Sequence, residues 1–413
     1  PFLGSLMKDG ESIPEITTVY FIFVAKNVIS YLNAHKWSLI NADQKGYILS
    51  RVNLVFQVIT TAAKIVILVL TQNYVLYLLI ELFIYTGQNI LVGKIVNDRY
   101  PYIRTKVKYS IDEDTRCNIV KNVKAMFLHN IGGYLVNGTD NILISKFISV
   151  AAVGLYSNYT MVIGQLSSLV KPILGGVGAS VGNLIATEDR EKNYSVFKTI
   201  YLMNFWIYSL CVIFLYNVLE PFIDWYFGKG YLLNRLTFTV ILINFYLEGM
   251  RTAIATFKNK AGLFVQDRYA PLMEGLINLV SSLILIKYLG LAGVFVGTTI
   301  STLSIIFWNQ PRIVYKYLFK KPVGSYFEKY ALYAFLTTAS CFITSSICNF
   351  FTENNFISLV ARGLVSLIIP NMIYLMVFFK TKEFQYLLDV AKGLLLKIRR
   401  VFEDRRNSVC QRT

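Results

Sequence analysis

The chain has 413 residues, 55% of them hydrophobic and 15% aromatic, against only 16% charged. That composition leaves no room for a large soluble domain and describes an all-α polytopic membrane protein. The net charge of +17 does not imply nucleic acid, because Lys and Arg gather in alternate connections, as the positive-inside rule expects of cytoplasmic loops.

Apolar stretches of about twenty residues predict eleven spanning helices, at 14–36, 48–70, 73–95, 125–149, 151–186, 197–218, 234–257, 270–289, 291–309, 328–350 and 356–379. Ahead of them, Phe2 and Leu3 read as the tail of an apolar segment, so we expect the sequence to begin inside a longer chain. Charge orients the spans. The connections after the first (His35, Lys36, Lys45, Arg51), the third (Lys94 to Lys124), the seventh (Lys258, Lys260, Arg268) and the ninth (Arg312, Lys316, Lys320, Lys321) are basic. The intervening ones hold only Lys229, while 187–198 is mixed. Residues 1–12 are therefore expected outside and the C-terminus in the cytoplasm. Two surface helices are expected as well. Pro221–Phe227 should lie in the outer interface, with Trp225 at headgroup depth. From 381 onward, Phe384, Leu387, Leu388, Ala391, Leu394 and Leu395 form an apolar stripe beside Lys382, Lys392 and Lys397, which reads as a basic amphipathic helix on the anionic leaflet. An unstructured tail is the alternative.

The fourth and fifth spans are too polar to face lipid on all sides. Asn130, Gly133, Asn137, Asp140 and Asn141 share one helical face in the first of them. In the second, Asn158, Gln165, Ser168, Gly175 and Asn183 do so, with Lys171 on that flank and Pro172 as a kink. Such faces either line a wet cavity or glue helices together. The charges on Asp140 and Lys171 favour the cavity. Lys26 sits mid-span, with Ser30 and Asn33 on its side, and reads as a cavity-facing cation, whereas Lys64, Lys146 and Lys287 can snorkel. Glu248 and Arg251, three residues apart, either pair structurally or serve gating and coupling. Glu81 stands alone on its helix, either protonated or facing the lumen. The segment Asp43-Gln44-Lys45-Gly46-Tyr47 before one span weakly repeats as Gln266-Asp267-Arg268-Tyr269-Ala270 before another, as two pseudo-equivalent lobes would require.

No phosphate-binding loop is present: Gly175-Gly176-Val177-Gly178 and Gly228-Lys229-Gly230 lack the Lys-Ser/Thr ending and follow no strand. Neither His35 nor His129 belongs to a metal-ligand or nucleophile pattern, and the five cysteines show no metal spacing. No metal, cofactor or catalytic residue is expected.

The runs KNVKAMFLHNIGGYLVNGTDNILISKF (121–147), VGLYSNY (153–159), GNLIATEDREKNYSVFK (182–198), INFYLEGMR (243–251), KNKAGLFVQDRYAPLMEGLINLV (258–280) and NADQKGYI (41–48) resemble bacterial Wzx-type flippases. These belong to the multidrug/oligosaccharidyl-lipid/polysaccharide exporter superfamily. The resemblance covers nearly the whole chain and says nothing of the sugar. It implies two six-helix lobes around a central cavity, with the first three helices absent from this sequence. Residues 1–95 would then be the remainder of the first lobe, 96–124 a cytoplasmic connection and 125–311 the second lobe. An extra helix pair at 312–380 and a basic tail at 381–413 would follow.

The function this implies is flipping of a polyprenyl-diphosphate-linked oligosaccharide across a bacterial cytoplasmic membrane by alternating access, for surface polysaccharide assembly. The chain would act among membrane lipids and other polysaccharide-assembly proteins, without nucleic acid. Lys26 and Lys171 would attract the diphosphate, while Asn130, Asn137, Asn158 and Gln165 suit sugar hydroxyls. Asp140 or Glu248, with Arg251 nearby, would couple transport to a proton or sodium gradient. The rivals are a cation or drug antiporter of the same fold, which wants a net-acidic cavity, and a membrane-embedded glycan polymerase or ligase, which wants a large external loop with Arg or His.

Overall fold

The computed structural model describes residues 15–43, 45–105, 110–353, 355–390 and 392–393. Among these the chain is helical throughout and contains no strand, as a backbone in hydrocarbon requires when every N–H and C=O must be satisfied internally. Among the described residues eight helices are long and apolar enough to cross a membrane, or nine if one bent pair counts as a single span. The chain is an all-α, multi-pass membrane protein. The two polar spans expected at 125–149 and 151–186 are not among those eight or nine, so the expected count of eleven rests on them.

The chain divides into two compact units, 1–113 and 114–413. In the first, α1 (Ile16–Leu32) and α2 (Ala34–Ala42) form the bent pair, turning by 49° at Asn33. Asn33 donates from Nδ2 to the Asn89 carbonyl at 2.8 Å, over Gly93 of the fourth helix. α3 (Gly46–Thr71) and α4 (Tyr74–Arg99) follow as a hairpin. Gln72, left-handed at φ 50°, makes the turn, and the Asn73 side chain caps α4 by accepting from the N–H groups of Val75 and Leu76. A small core of Ile40, Leu49, Val92, Val96 and Tyr100 closes one end. The most apolar stretch of α3 is nowhere buried against protein, which suits a lipid-facing surface.

In the second unit the expected span at 125–149 is two helices, α5 (Glu113–Asn137) and α6 (Thr139–Phe147), interrupted at Gly138. α5 also takes in the last part of what reads as a connecting loop. α7 (Val150–Thr187) runs as one 38-residue helix through Pro172, capped by Ser149. α8 (Arg190–Tyr226) continues through Pro221, so the separate surface helix expected at Pro221–Phe227 is its last turns instead; Trp225 is exposed there. α9 (Arg235–Lys260) and α10 (Ala270–Leu289) precede α11, which is helical from Leu291 to Phe319 and contains two π-turns, at Thr302–Ile306 and Tyr315–Phe319. α10 and α11 pack closely because a Cβ on Gly297 would lie 2.3 Å from Ser282 Oγ. α12 (Gly324–Cys348) and α13 (Phe356–Phe378) pack on α8 through Phe205, Tyr333, Tyr374 and Phe378.

Two surface readings change. Lys258 and Asp267, expected in a basic loop, are 2% and 3% exposed and pair with each other. In the tail, residues 382–390 are helical, but Phe384, Leu387 and Leu388 pack against the α8–α12–α13 core instead of facing a leaflet. Phe384 stacks on Trp206, and Glu383 reaches Lys329 at 3.2 Å and Lys198 at 3.6 Å. The stripe positions Ala391, Leu394 and Leu395, together with Lys397, lie outside the described residues.

Candidate functional site

Each unit contains its own charged cavity. In the second unit a cavity of about 410 Å³ is walled by α5 to α11. Asp140 enters from the start of α6, where the break at Gly138 turns the chain, and Lys171 enters from α7 one residue before Pro172. Glu248 and Arg251 come from α9, and Glu274 from the first turns of α10. Thr160 and Ser167 of α7 and Thr298, Thr302 and Gln310 of α11 add hydroxyls and an amide. The π-turn at Thr302–Ile306 places Thr302 at the wall, a usual setting for such a bulge.

The charges are arranged across helices. Arg251 Nη1 lies 3.4 Å from Glu274 Oε1, and Thr302 Oγ1 donates to the same oxygen at 3.2 Å. Arg251 does not pair with Glu248 on its own helix. Glu274 is 7% exposed, and a carboxylate so buried needs the guanidinium more than the exposed Glu248 does. Glu248 has no ion-pair partner among the described residues. Asp140 Oδ1 and Gln310 Oε1 are buried atoms without hydrogen-bond partners among the described residues, both on this wall.

At the edge of the cavity stands His129. Its Nε2 lies 3.0 Å from Asp267 Oδ1, too poorly aligned for a hydrogen bond, while Asp267 Oδ2 accepts from the Lys258 ammonium. This triad, with Lys258 and Asp267 buried and His129 half-buried, brings α5 against the end of α9 and the loop behind it.

The first unit has a second cavity, of about 430 Å³, between α1, α3 and α4. Glu81 is held there between two lysines, with Lys26 at Oε1 and Lys64 at Oε2. The Lys64 ammonium also sits 4.2 Å from the Tyr77 ring centre. Gln88 donates to Asn53 Oδ1 at 2.6 Å, and Gln57, Thr60 and Thr61 complete a polar wall. So Glu81 is not alone, and Lys64 does not snorkel.

Of the residues singled out from sequence, Asp140, Lys171, Glu248 and Arg251 share one cavity, and Lys26 lines the other. Asn130 and Gln165 are exposed, Asn158 is half-buried, and none of the three lines either cavity. The side chain of Asn137 lies outside the described residues. Glu274 went unassigned, although a Glu between Met273 and Gly275 in an apolar span was signal enough. Asn244 stands in the wall but is bonded structurally, to the Phe295 carbonyl and the Thr299 hydroxyl. Among the described residues no group of His, Cys, Asp and Glu could hold a metal ion. No family model, curated protein or solved structure matches the chain.

Proposed function

We propose that this chain is a flippase moving a polyprenyl-diphosphate-linked oligosaccharide across a bacterial cytoplasmic membrane. The observation that carries the reading is the second-unit cavity, where Asp140, Lys171, Glu248 and Arg251 from α6, α7 and α9 meet among hydroxyls and amides. Charges so placed are costly unless they face a wet path or one another. A sugar chain bearing a diphosphate calls for that mixture: hydrogen-bonding groups for hydroxyls, cations for the phosphates, with the polyprenyl tail left in lipid. The first-unit cavity supports the same reading, since Lys26 and Lys64 outnumber Glu81 there and leave net positive charge.

One observation favours the second reading, a cation antiporter. Glu248, Glu274 and Asp140 outnumber Lys171 and Arg251 in the second-unit cavity. Within the flippase reading that acidic bias serves a coupling proton or sodium ion, at Asp140 or Glu248, and leaves the diphosphate to the lysines.

Lysine substitution in cells separates these readings. Placing a diphosphate in a region of low dielectric costs several kcal/mol, by order of magnitude, unless a cation offsets it. Lys171→Ala should reduce export of the lipid-linked sugar while membrane expression stays near wild type. Lys171→Arg should keep part of the activity, because the charge survives with altered geometry. Lys287→Ala is the control, since Lys287 is exposed and lines neither charged cavity. Normal export by Lys171→Ala, or equal failure of both alanine variants, would overturn the assignment.

A further inference from the structure

α11 is longer than a bilayer needs. Its 29 residues, at about 1.5 Å each, span about 43 Å against a hydrocarbon core of about 30 Å. One end must therefore project to headgroup depth. Along one face of this helix, at four-residue steps, stand Ile300, Ser304, Trp308, Arg312 and Lys316, and Lys320 follows just past its end. The stripe passes from apolar through an exposed Trp to three cations. Trp is the usual marker of the membrane–water boundary, and Trp308 is 46% exposed. The cations begin one turn beyond it.

The helix ends there in an unusual way. Its last turn, Tyr315–Phe319, is π-wound, and Lys320 closes it in the left-handed region at φ 52°, with the Lys321 N–H donating to the Tyr315 carbonyl at 3.1 Å. This turn opens a cleft of about 460 Å³ lined by Arg312, Tyr315, Lys316, Lys320 and Lys321. Lys321 is answered by Glu191 at 2.7 Å. Arg312, Lys316 and Lys320 have no carboxylate within ion-pair distance among the described residues. Three like charges around one cleft repel one another unless an anion sits among them.

We propose that this cleft binds the phosphate of an anionic phospholipid headgroup. The three cations supply the charge, and the apolar stretch of the same stripe, ending at Trp308 packed on Phe327, lies where the acyl chains would run. A soluble phosphate would use the cations alone. The cleft shares no lining residue with either charged cavity and does not depend on the transport reading.

Lipid binding by the full chain in neutral detergent tests this, read by native mass spectrometry. The probes are dioleoylphosphatidylglycerol, dioleoylphosphatidylcholine and inorganic phosphate. The wild type should retain phosphatidylglycerol in preference to phosphatidylcholine, and equimolar inorganic phosphate should not displace it. The triple variant Arg312→Gln/Lys316→Gln/Lys320→Gln should bind phosphatidylglycerol at least about tenfold more weakly, by the usual weight of surface cations near anionic lipid. A charge-matched control at three exposed lysines elsewhere, Lys94→Gln/Lys124→Gln/Lys192→Gln, should change binding by less than about twofold. Equal weakening by both triples would show diffuse attraction and overturn the site. Lack of lipid preference, or displacement by phosphate, would overturn the lipid as its occupant. Should the triple variant fail to fold, the exposed Lys316 alone decides: Lys316→Glu must weaken binding more than Lys316→Gln, and the absence of that order overturns the proposal.

Discussion

Inside a bundle of spanning helices, a cation settles where its absence would cost most. A same-helix pair between Arg251 and Glu248 would contribute about 0.2–0.5 kcal/mol. Leaving Glu274 charged, buried and unpaired would cost about 3–5 kcal/mol, and the guanidinium reaches Glu274. Arg251→Ala should therefore lower the thermal midpoint in detergent sharply, and Arg251→Ala/Glu274→Gln should recover most of the loss. Glu248→Gln should leave the midpoint near wild type, because Glu248 is exposed and unpaired among the described residues. Equal destabilisation by Glu248→Gln and Arg251→Ala would place the pair on one helix after all. This is also where sequence reading reaches its limit. Periodicity tells which charges share a helix face, and so found Asp140, Lys171, Glu248 and Arg251. It does not tell which helix stands opposite, so the pairing of Arg251 with Glu274, and of Lys26 and Lys64 with Glu81, became visible only once the helices were packed.

Helix existence was legible for a plain reason: runs of about twenty apolar residues admit no other backbone in lipid. Helix ends were less so, since α8 runs on through Pro221 and α11 through Arg312 to Phe319, past the points where polarity suggests a stop. The segments that join elements show one further regularity. Asp43, just before α3, accepts from Lys45 and from the Tyr100 hydroxyl, at 2.6 Å for the latter; Asp267, just before α10, is held by Lys258 and faces His129. Each of the two segments, 43–47 and 266–270, thus contains an aspartate held at the entry to a span, though not at matching positions of the weak repeat. Their settings differ, and so should their responses. The Lys45 and Tyr100 hydrogen bonds hold the Asp43 carboxyl below its ordinary value. Its contribution is therefore full above the unfolded carboxylate value of about 3.9 and fades as pH falls through the lower folded one. Asp43→Asn should remove that acid-side dependence with little effect at neutral pH, because the site is open to water. Asp267→Asn leaves the Lys258 ammonium buried without its partner and should cost about 3–5 kcal/mol at neutral pH. Thermal midpoints of the two variants at pH 7 and at about pH 2, below the carboxylate range, check both expectations, and comparable losses at pH 7 would show that burial does not separate the two aspartates.

At the scale of the whole molecule, the distribution of charge is the one feature that orients the chain. Arg312, Lys316, Lys320 and Lys321 crowd the turn after α11, and the acidic residues there are few. The turn after α12 holds Glu353 instead, and the last turn of α8 holds Asp224. The positive-inside rule predicts that the first group faces the cytoplasm and the other two face outward. Helix lengths permit this alternation, because α12 and α13, of 25 and 23 residues, are each long enough to cross once. Single cysteines on a background lacking the native thiols turn this into a measurement in intact cells. Asp224→Cys and Glu353→Cys should react with a membrane-impermeant maleimide added outside, and Lys320→Cys should react only after the cells are opened. Labelling of Lys320→Cys from outside would invert the orientation. Labelling of Asp224→Cys and Glu353→Cys from opposite sides would break the alternation, because an odd number of crossings would then separate α8 from α13.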